Sequence, residues 1–167
     1  RILILAGGFS REREISLKTA KGVFKEIKKK YITKICEPNG DLIKNIRSFK
    51  PDVVFNALHG RYGEDGYVQA ILESEKVKYT HSGVMSSAIA IDKELSKKIF
   101  IKNKILTPKY IKFEFKKNII IKDITKNVKK KLDFPVVIKP INEGSSVNVY
   151  ICNKSNFIKN LYKLKNY

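Results

Sequence analysis

Acidic residues are scarce in this chain of 167 residues: 16 Asp and Glu stand against 35 Lys and Arg, a formal net charge of +19. A surplus of that size points to nucleic acid or an acidic membrane when the basic residues gather on one face. Here they recur on the polar faces of nearly every helical segment, and isoleucine and asparagine are frequent too, which marks a general lysine bias rather than a binding stripe. No RNA-recognition signature and no zinc finger is present, so a basic nucleic-acid-binding module stays only as the reading of a different class. Cysteine is equally sparse. Cys36 and Cys152 lie far apart, without metal-ligand spacing or histidine pairs nearby. That excludes a disulfide framework and a Cys/His zinc site, and leaves two buried or half-buried thiols. No apolar run approaches the roughly 20 residues that span a bilayer, and no signal peptide precedes the first strand. A cytoplasmic protein with no membrane partner is the expectation.

What is present is enough apolar residue, 43% of the chain, to bury a core in one or two domains. Ile2–Leu5 forms a short apolar strand that runs at once into Ala6-Gly7-Gly8-Phe9-Ser10, a glycine turn. Ala20, Val23, Phe24 and Ile27 then fall at helical spacing. Glu12 and Glu14 sit in the first turn of that helix, where carboxylates suit the positive helix end. A strand over Ile32–Cys36 ends at Pro38-Asn39-Gly40, and Leu42, Ile46 and Phe49 mark a short amphipathic helix stopped by Pro51. The strand Val53–Ala57 leads into Leu58-His59-Gly60-Arg61-Tyr62-Gly63-Glu64-Asp65-Gly66, followed by a helix with Val68, Ile71 and Leu72 and a last strand over Val77–Thr80.

Alternating strands and helices predict a parallel sheet covered on both faces. Ligands collect at the carboxyl ends of such strands, so the loops after Leu5 and Ala57 should share one crevice, with Glu12 and His59 facing each other. The first loop, Gly-Gly-Phe-Ser-Arg-Glu, lacks the third glycine of a dinucleotide fingerprint, which rejects NAD. The second carries three glycines in nine residues. That density makes sense only where backbone turns sharply or approaches something closely.

After Ser82-Gly83 the pattern changes to long lysine-rich helices and closely connected strands, so a second domain is expected from about Met85. Asp92 can cap a helix whose apolar face carries Leu95 and Ile99. Lys93 in its first turn opposes the helix dipole, and either reaches into solvent or holds an anion with the helix end, with Lys97 one turn on. Ile111, Phe113 and Phe115 alternate as a strand, and Ile124, Val128 and Leu132 mark a helix. A strand–loop–strand unit follows, with Val136, Val137 and Ile138 on one side and Val147, Val149 and Ile151 alternating on the other. Its loop carries Lys139, Pro140 and then Glu143-Gly144-Ser145-Ser146, which can fold over phosphates or serve as an ordinary polar turn. Phe157, Leu161 and Leu164 mark a last helix.

Five blocks carry a family resemblance: G-G-F-S-R-E-R-E-I-S-L from Gly7, L-H-G-R-Y-G-E-D-G from Leu58, S-G-V-M-S-S-A from Ser82, D-K-E-L-S-K from Asp92 and V-I-K-P-I-N-E-G-S-S-V from Val137. In order and spacing the chain resembles the amino-terminal part of the D-alanine–D-alanine ligases, of the ATP-grasp superfamily. The resemblance implies an α/β protein: a Rossmann-like, parallel-sheet pre-ATP-grasp domain over residues 1–84, followed by a partial α+β ATP-grasp domain over 85–167. Such an enzyme phosphorylates one D-alanine with ATP and condenses the acyl phosphate with a second, supplying a peptidoglycan precursor.

By the same resemblance, Glu12 should hold the ammonium of the first D-alanine and His59 should line that pocket near the reacting carboxyl. Lys93 and Lys139 should contact ATP phosphates. Glu143, Gly144, Ser145 and Ser146 should close over them, with Ser145 hydrogen-bonded toward Glu12, which makes Glu12 and Ser145 the expected catalytic pair. The family's magnesium (or manganese) ligands, the arginine near the transferred phosphate and the sealing loop are expected beyond Tyr167. Residues 1–167 alone are therefore expected to bind nucleotide weakly and turn nothing over. Tyr62, His81, Asn142 and Asn148 stand where such sequences often carry a smaller residue, glycine, arginine and glycine. Another ATP-grasp carboxylate–amine ligase would share the Glu143–Ser146 loop but lack the pair Glu12 and His59. D-alanine against D-lactate as second substrate, and a homodimer against other states, stay open.

Overall fold

The first strand sets the architecture. In a computed structural model of the chain, which describes residues 1–115 and 121–165, β1 (Ile2–Leu5) lies inside a four-stranded sheet of order β2-β1-β3-β4. The other strands are β2 (Thr33–Cys36), β3 (Val53–Asn56) and β4 (Lys78–Tyr79), and every pairing is parallel. Helices α1 (Arg13–Ile27), α2 (Leu42–Phe49) and α3 (Tyr67–Ser74) connect them, as parallel neighbours require. Side chains alternate across a strand, so β1 feeds two cores. Leu3 and Leu5 pack with Leu42 and Ile46 of α2 and Val68 and Leu72 of α3. Ile4 and Ala6 pack with Ala20, Val23 and Phe24 of α1 on the opposite face. Each fully buried leucine or isoleucine here contributes about 1.5–3 kcal/mol of transfer free energy, so this buried strand holds both helical layers.

Two compact units divide between Asp92 and Lys93. Helix α4 (Val84–Ile91) packs with α3 in the first unit, and the Ser87 hydroxyl donates to the Ser82 carbonyl at 3.1 Å. The sequence boundary between 84 and 85 falls at the start of this helix.

The second unit contains α5 (Lys93–Lys102), α6 (Ile121–Lys131), an antiparallel pair β5 (Val136–Ile138) and β6 (Tyr150–Cys152), and α7 (Phe157–Lys165). Its core joins Ile124 and Val128 of α6, Val136 and Ile138 of β5, Cys152 of β6 and Phe157 and Leu161 of α7. The expected strand over 111–115 is not one. Ile111, Phe113 and Phe115 pack against this core, but among the described residues the ladder of this unit joins only β5 and β6. The alternating pattern thus reports burial of one side without backbone pairing.

The second hairpin strand is also shorter than expected. Val147 lies in a turn and Val149 between that turn and β6, and Tyr150 and Cys152 face the core while Ile151, paired with Val137, is 73% exposed. The turning residues shift the alternation. Ser145, Ser146 and Asn148 all take positive φ (43°, 61° and 52°), and Val147 N–H returns to the Gly144 carbonyl at 2.9 Å. Positive φ at both central residues is the mark of a type I′ turn. Cys36 and Cys152 are free and buried, as expected. Among the described residues no helix is long and apolar enough to cross a membrane.

Candidate active site

In the first unit, the loops after β1 and β3 meet, as the topology requires. Ser10 is the joint: its hydroxyl donates to the His59 carbonyl at 2.7 Å and accepts from Glu12 N–H at 3.1 Å. Glu12 occupies the N-cap position of α1 without a side-chain capping bond, and its side chain is only 1% exposed. Helix-end electrostatics, which an exposed carboxylate would satisfy, therefore do not explain its placement. A Cβ on Gly60 would fall 2.9 Å from Glu12 Oε1, so the carboxylate lies directly against the second loop.

That loop is held from below by two buried amides. Asn56 donates to the Gly63 carbonyl at 2.8 Å and accepts from Leu58 N–H at 3.1 Å, and Gln69 donates to the same Gly63 carbonyl at 2.7 Å. A Cβ at Gly63 would sit 2.2 Å from that of Leu58, so no other residue closes the turn this tightly. His59 is half-buried, with Nε2 3.3 Å from Thr19 Oγ1 and Nδ1 3.9 Å from Glu64 Oε1. Glu64 is itself fixed, since Oε2 accepts from Gly60 N–H at 2.8 Å. Phe9, Tyr62 and Tyr67 stack outside these loops, with ring centroids 6.5 and 5.0 Å apart.

The second unit carries a cleft of about 710 Å³ whose lining includes Lys93, Lys97, Lys139, Tyr110 and Ile138, a volume suited to a nucleotide-sized ligand. Lys93 does not reach into solvent. Its ammonium donates to the carbonyls of Ile141, at 2.9 Å, and Glu143, so it ties α5 to the loop that carries Gly144, Ser145 and Ser146. Lys97, on the same face one turn on, donates to Thr107 Oγ1 at 2.8 Å and to the Pro108 carbonyl at 2.7 Å, beneath the Tyr110 ring. Burial, and then the charge of Lys139, lower the pKa of its ammonium below the ordinary lysine value. Ser145 and Ser146 are exposed at the turn. Among the described residues no three His, Cys, Asp or Glu side chains gather as a metal site.

Glu12 and the His59 loop are thus brought together in the first unit, while in the second Lys93 and Lys139 line one cleft and Lys93 holds the Glu143 carbonyl, with Ser145 and Ser146 exposed at the turn outside that lining. Ser10, Thr19, Glu64 and Lys97 join the two sites without a role expected from the sequence. The signals existed: Glu64 closes the glycine-dense loop, and Lys97 repeats Lys93 at helical spacing.

These are the parts of a two-unit α/β protein. The model described as D-ala D-ala ligase N-terminus matches residues 36–82, and that of the D-ala D-ala ligase C-terminus matches residues 99–165. A D-alanine–D-alanine ligase of Pelagibacter ubique is 67% identical over all of this chain, which covers 55% of that protein. The crystal structure of a D-alanine–D-alanine ligase from Bacillus anthracis superposes with a TM-score of 0.77 at 34% identity, over 99% of this chain and 54% of that one. A second structure of the Bacillus anthracis ligase, complexed with ATP, gives 0.74 at 31% identity, over 99% of this chain and 55% of that one. The chain belongs to the D-alanine–D-alanine ligase family, and spans about half the length of the relatives it matches.

Proposed function

We propose that the protein to which this chain belongs joins two D-alanines in an ATP-dependent reaction. The observation that carries this reading is the 67% identity to a D-alanine–D-alanine ligase, which runs the whole length of the chain. ATP phosphorylates the carboxylate of the first D-alanine, and the amine of the second attacks the acyl phosphate. The products are D-alanyl-D-alanine, a peptidoglycan precursor, with ADP and phosphate. Glu12 pairs with the ammonium of the first D-alanine. Its burial makes that pairing stronger than a surface contact, because little water screens it. His59 lines the same pocket. Lys139 and Lys93 neutralise phosphate charge, and the Glu143–Ser146 loop shields the acyl phosphate from water, the two needs of a phosphoryl transfer through a hydrolysable intermediate.

Magnesium or manganese accompanies ATP in this reading and supplies further charge neutralisation. The described residues gather no donor set for it, and the steps assigned to them involve no metal. A cytoplasmic location and a homodimer belong to the same proposal.

The test is phosphate release from ATP and magnesium by the chain extended to its natural stop codon, with D-alanine, L-alanine or no amino acid. Release with D-alanine alone, abolished by Glu12→Ala, is expected. A folded, ATP-binding protein that releases no phosphate with D-alanine would overturn the reading.

A further inference from the structure

The ring of His59 is held on both edges by groups of unequal character, and the inequality fixes where its proton sits. On one edge, Nδ1 lies 3.9 Å from Glu64 Oε1. That carboxylate is pinned by the Gly60 N–H on its other oxygen, at 2.8 Å. On the other edge, Nε2 lies 3.3 Å from the hydroxyl of Thr19. The backbone beneath the ring is anchored by Ser10, whose hydroxyl donates to the His59 carbonyl at 2.7 Å.

A carboxylate can only accept, whereas a threonine hydroxyl rotates to donate or accept. At 3.9 Å the Glu64 contact is a charge–dipole attraction rather than a closed hydrogen bond. Its field nevertheless favours a proton on the nearer nitrogen. We infer that Glu64 and Thr19 set the neutral His59 ring as its Nδ1–H tautomer, with Nε2 accepting from the Thr19 hydroxyl. Glu64 and Thr19 are then positioning residues. They hold the imidazole in one orientation and one proton arrangement, and Thr19 can reverse its hydroxyl to accept if the ring becomes protonated.

The consequence for catalysis rests on the reading that His59 lines the D-alanine pocket, but the tautomer itself does not. The measurement is the ring nitrogen shifts of His59 in the full-length protein, by long-range proton–nitrogen correlation at about pH 8.5, two units above the ordinary histidine value. The signals are assigned by their loss in His59→Gln. The wild-type ring should carry its proton on Nδ1, and Glu64→Gln should move it toward Nε2. Should Glu64→Gln fail to fold, Thr19→Val carries the same test, since it removes the donor to Nε2. A wild-type proton on Nε2, or a tautomer unmoved by the substitution, overturns the inference. Kinetics separate the two claims. A moved tautomer should come with a D-alanine KM raised about two- to tenfold, the worth of one hydrogen bond, and a smaller change in kcat. A moved tautomer with unchanged KM leaves the assignment standing and removes His59 from the substrate pocket.

Discussion

Glu12 occupies the space that a side chain at Gly60 would need: a Cβ there would fall 2.9 Å from Oε1, on a backbone with φ of +67°. Two penalties would meet in Gly60→Ala. The left-handed backbone costs about 1–2 kcal/mol for a residue with a Cβ, and the new methyl displaces the Glu12 carboxylate. The carboxylate is the movable partner, so the fold should survive while the pocket changes. Gly60→Ala should lose about 1–2 kcal/mol in urea denaturation and raise the D-alanine KM of the full-length protein by about tenfold, the cost of misplacing a charged hydrogen-bond partner. The KM for ATP should barely move, because the lysines that line the cleft belong to the other unit. An unchanged D-alanine KM would separate Glu12 from the substrate.

His81 and Asn148 answer to the same backbone rule. Both hold positive φ, 84° and 52°. Asparagine and histidine are both enriched among the few non-glycine residues at positive φ, but only Asn148 lies inside the usual left-handed range of about +50 to +70°, and His81 at 84° lies beyond it. His81→Gly should therefore stabilise the protein by about 0.5–1 kcal/mol, the relief of a left-handed Cβ less the larger unfolded-state entropy of glycine. Scanning calorimetry of the full-length protein should show a higher Tm, by about 1–4 °C. A lower Tm would mean that the side chain contributes more than its backbone strain costs.

The alternation of strands and helices in residues 1–92 was legible in the sequence because each strand of β1 and β3 is a short apolar run bounded by glycine or proline. The meeting of the two loops was legible too, since a parallel sheet puts both at one edge. The depth of Glu12 was not. A position at a helix start suits an exposed carboxylate equally well, whereas the Ser10 bridge and the missing Cβ of Gly60 belong to its niche in the fold. The hairpin is strand–loop–strand as its pattern predicts, but Val147 and Val149 fall before the second strand rather than in it. Serines at positive φ are rare, so nothing in Ser145-Ser146-Val147-Asn148 announced that these residues would turn rather than extend. At 111–115 the period was right and its meaning wrong, because alternation reports a buried side and backbone pairing needs a neighbour.

Lys93, electrostatically misplaced in the first turn of its helix, has two carbonyl partners on the hairpin loop. It therefore acts on the loop before any ligand arrives. Lys93→Met should release that loop as well as remove a charge. Hydrogen exchange of the amides from Gly144 to Val147 should accelerate, and the ATP KM should rise more than about tenfold, the scale of a lost charged hydrogen bond. Weaker ATP binding with unchanged exchange would mean that the loop is held by its own turn, and that the lysine serves the phosphate alone.

Lys97 gives the cleft a protonation signature. Its ammonium is destabilised first by burial and then by the charge of Lys139, so the folded pKa lies below the ordinary value. Between the lowered value and 10.5 the unfolded chain binds more protons than the folded one, and stability attributable to this group rises with pH through that window; below it the full cost of the buried cation is present. Phosphates bound beside Lys139 would cancel the repulsion and draw the pKa of Lys97 upward. ATP binding at a pH inside that window should therefore take up a fraction of a proton. Calorimetry in buffers of different ionisation heat reads that uptake directly, as a binding enthalpy that changes with the buffer. Lys97→Met should abolish the dependence while ATP still binds, because Lys93 and Lys139 remain. A buffer-independent enthalpy in the wild-type protein would show that the phosphates do not approach this pair, and would move the nucleotide away from the Lys97 side of the cleft.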